Sequence, residues 1–113
     1  MSRELLENRE HLLRLFTAYG SLLTENQRAI VDSYFSFDLS LSEIAEEEGI
    51  SRAAVSEAIK TATTKMEEFE EKLHLVERRS KISTEGDRIS KIKDPVERLN
   101  AYEALLKEIE NGI

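Results

Sequence analysis

The chain has 113 residues, no cysteine and a formal net charge of −7, from 16 Lys and Arg against 23 Asp and Glu. That length holds one small core with a helical tail. The missing cysteine excludes a disulfide framework, a thiolate metal site and a thiol nucleophile, and the acidic balance is a handicap for binding phosphate, although a local basic patch can still do so. One proline, four glycines and abundant Ala, Leu, Glu, Lys and Arg predict an all-α fold, a small helical bundle. The opening "MSRELLENREHLLRLF" is too charged for a signal peptide, and no run nears the ~18 apolar residues of a membrane helix. The expectation is a soluble cytoplasmic protein with no membrane partner.

The first predicted helix runs from about Arg3 to Tyr19, with Ser2 as its cap and Gly20 as the left-handed residue that ends it. Leu5, Leu12, Phe16 and Tyr19 share one face, widened by Leu6 and Leu13. The second follows "LLTENQ", where Thr24 and Gln27 have capping-box spacing, and turns Ile30, Val31, Tyr34 and Phe35 inward. The third starts at "SLSE" with Ser40 and Glu43 as a second capping box. It ends at Gly49, with Ile44 and Ala45 as core residues.

The fourth helix starts at Ser51. Its apolar residues Val55, Ile59, Ala62, Met66, Phe69, Leu73 and Val76 recur in alternating steps of four and three, which predicts one continuous helix to about Arg79. Residues 80–93, interrupted by Ser80, Ser83 and Gly86, read as either helix or linker, with Ile82, Ile89 and Ile92 available to line a short helix. "DPVE" then opens a last helix. Asp94 caps it, Pro95 takes the first position, and Glu97 closes a box. Leu99, Tyr102, Leu106 and Ile109 are its expected inward face. The division is thus 1–79, with a core motif at about 40–64, and a C-terminal helical extension at 80–113.

Within "SLSEIAEEEGISRAAVSEAIK", Ala45 supplies the small residue where two helices touch, Gly49 the turn and Val55 the anchor, with Ile44, Ile50 and Ile59 as a shared core. This is the spacing of a helix-turn-helix. The exposed start of the second helix of such a motif reads base edges and phosphates. Here that surface is Ser51, Arg52, Ala53, Ser56, Glu57 and Lys60, with Arg28 as a further phosphate contact. Residues 22–65 carry eight acids against four bases, so a single copy is expected to bind DNA weakly.

No phosphate-binding glycine loop is present, His11 and His74 lack metal-ligand spacing, and no Ser or Thr sits in a nucleophile motif. "EEFEEK" reads as a solvated helix face. The chain is expected to be a non-enzyme without cofactor or metal. The heptad seam allows packing inside one chain or a dimer. In a parallel dimer Lys65 meets the partner's Glu70 and Lys72 the partner's Glu77. A helical-bundle homodimer using part of the seam, through Ile59, Met66, Phe69, Leu73 and Val76, is the expected arrangement.

"LLTENQR", "SLSEIAEEEGISRAAV", "IK" and "EKLHL" together resemble the YlxM-type proteins of Gram-positive bacteria and their wall-less relatives. The likeness covers about residues 12–76 and is looser elsewhere. The helix-turn-helix alone also resembles region four of bacterial sigma factors, a broader class. The resemblance implies a sigma-region-four-like helix-turn-helix in an all-α protein. Members are encoded beside the GTPase of the signal recognition particle, which implies a role in that protein-targeting pathway and a particle component, protein or RNA, as partner. A dimeric DNA-binding regulator is the alternative. Ser56 and Glu57 stand where members commonly have an aromatic and then an acidic residue, and Thr61 where they tend to place a second base, so the basic surface is thinner than usual.

Overall fold

The computed structural model describes the backbone of residues 3–112 and the side chains of residues 9–112. The expected cap at Ser2 and the side chains of Leu5 and Leu6 lie outside the described residues. The described elements are helices: α1 (Arg3–Tyr19), a 3₁₀ turn (Gly20–Leu22), α2 (Glu25–Phe35), α3 (Leu41–Glu48), α4 (Arg52–Leu73), α5 (Leu75–Ser90) and α6 (Pro95–Glu110). They form two compact units, Met1–Leu73 and His74–Ile113.

Local chemistry sets the helix starts. The Thr24 hydroxyl accepts from the Gln27 N–H, and the Gln27 side chain accepts from the Thr24 N–H, both at 3.2 Å. Ser40 and Glu43 repeat the arrangement at 3.1 Å. Asp94 accepts from the Glu97 N–H, with Pro95 opening α6, but the expected return bond from Glu97 is not made. Removing one cap oxygen leaves an N–H orphaned at the end of the eight-residue α3. Ser40→Ala is therefore expected to cost about 1 kcal/mol in urea unfolding.

The box also predicts a pH response. The Ser40 N–H, with a smaller contribution from the Ser40 hydroxyl, holds the Glu43 carboxyl below its ordinary value of 4.5. A carboxyl depressed in the folded state contributes stability above its unfolded pKa, and this is lost as pH falls through the folded value. Melting temperature should therefore fall less below pH 4.5 in Glu43→Gln than in the wild type. Parallel pH profiles would sink this assignment.

In the first unit, α4 packs on α1, α2 and α3. Ile30, Ile44, Ala45 and Val55 form one buried cluster, covered by Tyr34, Leu39, Leu41, Ala58 and Ile59. Leu15, Tyr19, Val31, Phe35, Ala62 and Met66 are also buried. The expected face of α1 omits Leu15, while Leu13, expected to widen it, is exposed. The Tyr19 ring lies 5.9 Å from that of Phe69, and its hydroxyl donates to Glu70 Oε1 at 2.5 Å. Arg9 Nη2 donates to the Phe35 carbonyl at 3.1 Å and to Asp38 at 2.9 Å, which ties α1 to the end of α2.

Three further expectations need correction. Gly20 has no left-handed φ; it is buried and opens the 3₁₀ turn. Its constraint is space, since a Cβ there would lie 2.8 Å from the Phe16 ring. The single helix expected from Ser51 to about Arg79 ends at Leu73. His74 takes φ 55°, a left-handed conformation that cannot continue a right-handed ladder, and α5 restarts with the Arg78 N–H on the His74 carbonyl. Residues through Ser90, left open between helix and linker, are helical. Finally, α6 does not bury Leu99, Tyr102, Leu106 and Ile109, which are all exposed. In the second unit α6 pairs with α5, Ile89 and Leu105 are buried, and Ala101 and Arg98 are half-buried.

Candidate functional site

The turn between α3 and α4 is built as its residue types require. Gly49 adopts φ 69°, ψ 33°, and its N–H bonds the Ala45 carbonyl, which also accepts from the Ile50 N–H at 3.0 Å. That left-handed residue closes α3 and redirects the chain within three residues. Ser51 then caps α4, its hydroxyl accepting from the Ala54 N–H at 3.0 Å. Ala45 and Val55 are buried together where the two helices meet. Ile50, expected in the shared core, is exposed instead, because the turn carries it away from the cluster formed by Ile44 and Val55.

Ser51, Arg52, Ala53, Ser56, Glu57 and Lys60 are all exposed. At about 100° per residue, Ala53, Ser56, Glu57 and Lys60 lie on the side of α4 turned away from Val55, Ala62 and Met66, whereas Arg52 flanks the buried face and Ser51 caps the helix. Arg52 and Lys60 make no ion pair with a described residue. Arg28 is exposed too, but it sits elsewhere. It lines an open cavity of about 320 Å³ with Phe16, Thr17, Gly20 and Ser21 at the end of α1. Of the expected cations, Arg52 and Lys60 thus lie on α4, and the further phosphate contact Arg28 lies beside α1.

Charge is divided unequally between the units. Met1–Leu73 carries eight Lys and Arg against fifteen Asp and Glu, the whole net charge of −7, whereas His74–Ile113 carries eight of each. Glu46, Glu47 and Glu48 stand exposed on α3, in the same unit as Arg52 and Lys60. A phosphate backbone approaching Arg52 and Lys60 meets this acidic field.

The five residues of the proposed seam do not form one free face. Met66 is fully buried, Ile59 covers the helix-turn-helix core and Phe69 is half-buried beside Tyr19. Leu73 is exposed, and Val76 lies on α5 beyond the break at His74. The described residues contain no cluster of three or more His, Cys, Asp or Glu able to hold a metal. No described helix is long and apolar enough to cross a membrane.

A family model described as "Putative helix-turn-helix protein, YlxM / p13 like", UPF0122, matches residues 6–109. The chain belongs to the UPF0122 family. A UPF0122 protein of Thermoanaerobacter sp. (strain X514) is 41% identical over 104 residues, covering 85% of this chain and 88% of the relative. One from Halalkalibacterium halodurans is 39% identical over 97 residues, covering 86% of each. One from Bacillus cereus (strain AH187) is 46% identical over 74 residues, covering 66% of this chain and 67% of the relative. The UPF0122 match spans α6 as well as the helix-turn-helix, so the C-terminal helices belong to the family's chain too. UPF0122 is described as a helix-turn-helix family, not as an enzyme family.

Proposed function

We propose that this protein is a cytoplasmic regulatory protein of the signal recognition particle pathway, with its helix-turn-helix serving as an interaction scaffold. One observation carries the reading: the unit that holds the helix-turn-helix holds all of the −7 charge. Opposite fields speed encounter and suppress wrong partners, so such a surface suits a basic partner. Within the pathway that the YlxM resemblance implies, the RNA-binding domain of the particle has the required sign. Ser51, Arg52, Ala53, Ser56, Glu57 and Lys60 are the proposed contact surface, flanked by the acids of α3.

A second reading, a dimeric DNA-binding regulator, is supported by the exposed guanidinium and ammonium groups of Arg52 and Lys60 on the reading arc. Two copies would present two such pairs to adjacent major grooves, with Arg28 on phosphate. The test is fluorescence anisotropy of the labelled protein at ~50 mM salt, where phosphate contacts are strongest. Duplex from its own locus is titrated in one arm and purified particle in the other. Binding to the particle, with unchanged anisotropy on duplex, is the expected result. Salt-sensitive duplex binding that Arg52→Ala removes would instead establish the DNA reading. Unaltered GTPase and targeting activity at saturating protein would sink the first.

A further inference from the structure

We infer that two copies of this chain associate through the apolar face of α6, as an antiparallel helix pair. Val96, Leu99, Tyr102, Leu106 and Ile109 are spaced three, three, four and three residues apart and are 66, 57, 37, 60 and 39% exposed. The spacing draws one stripe about 20 Å long down the helix. The neighbouring face of α6, carrying Ala101 and Leu105, is the one turned to α5. The helix is therefore apolar over a wider arc than its partner covers. Isolated exposed apolar residues are ordinary, whereas a continuous stripe on a single helix marks an interaction surface.

Charge selects the occupant. His74–Ile113 is neutral, with eight acids and eight bases, so two copies meeting there do not repel. Two copies meeting through the other unit would bring −7 against −7. Glu103 and Lys107, both exposed, stand one turn apart along the outer edge of the stripe. A two-fold axis near Leu105 sets each Glu103 opposite the partner's Lys107, twice over, as a self-complementary interface requires, and packs Leu99, Tyr102, Leu106 and Ile109 against the same stripe of the partner with Val96 left at its rim. A foreign partner of strong single charge would find a mixed edge. The α4 seam offers no rival surface, since Met66 and Ala62 are fully buried. Two such stripes with their edges bury on the order of 1,000 Å², the low end for specific association, so a dimer in equilibrium with monomer is expected. This inference does not depend on whether the partner of the helix-turn-helix is the particle or DNA.

The test is sedimentation velocity of the full chain over roughly 0.1–100 μM, which covers dissociation constants on both sides of a micromolar. The wild type should pass from monomer to dimer. Leu106→Glu and, separately, Leu99→Glu should remain monomeric with unchanged helical circular dichroism, because both residues are exposed. Glu103→Lys and Lys107→Glu should each weaken self-association about tenfold, one unit of ~1.4 kcal/mol. An equimolar mixture of those two proteins should dimerise again. Mixing restores opposite charges between chains but not within a helix, so the recovery is specific to a second copy meeting along this edge. A wild type that stays monomeric overturns the inference. So does a dimer that survives Leu106→Glu and Leu99→Glu, or a mixture that fails to recover.

Discussion

Met66→Ala should lower stability by about 2–4 kcal/mol, because a fully buried Met loses its transfer free energy and leaves a cavity. The residue sits on α4, which packs against α1 and α2, and it is as inaccessible as Ile30 and Ile44. The size of the effect separates two uses of the heptad pattern. A residue packed inside one chain loses folding stability when truncated and leaves self-association unaltered. A residue in a seam between chains weakens the dimer when truncated. Urea unfolding and sedimentation of the same variant read both quantities. A stability loss under about 1 kcal/mol would place Met66 outside the core. A weakened dimer with normal folding would return the seam to the interface.

Gly49→Ala should cost about 1–2 kcal/mol, the penalty of a Cβ in the left-handed region. Nothing lies within 4 Å of the position such a Cβ would take, so the cost is conformational and not steric crowding. Asn tolerates this region better than Ala, so Gly49→Asn should recover part of the loss. Both variants keep Arg52 and Lys60. If the turn sets the angle between α3 and α4, Gly49→Ala should also weaken whatever the reading face binds, beyond the change in folded fraction. Equal stability of the wild type and both variants would show that the left-handed conformation is not required.

The candidate surface is legible in the sequence to a large degree, because it depends on contacts within a few residues. Ser40 with Glu43, Gly49, and Ser51 with Ala54 each act within one turn, so their roles follow from residue type and spacing. The exposure of Ser56 and Lys60 follows from the burial of Val55, from which they are turned well away on the helix, while Arg52 is exposed as the first residue of α4. Arg28 does not join this set, and sequence cannot say that the end of α1 lies beside it. Ile50 reads as core on hydrophobicity alone, although the turn points it to solvent.

Residue type and short-range spacing suffice for the helical class, the starts of α2, α3, α4 and α6, the turn at Gly49 and the pairing of α3 with α4. Each rests on a hydrogen bond or a dihedral preference local to the chain. Where long apolar patterns are interrupted, and which half of them is covered, depends on how the helices pack on one another. The steps from Val55 to Val76 run unbroken through His74, so periodicity carries no trace of the break. On α6 both Leu105 and Leu106 are apolar, and nothing in their chemistry ranks them. Leu105 is buried and Leu106 exposed because the neighbouring helix α5 stands on one side, and a helix's own sequence does not say where its neighbour will be.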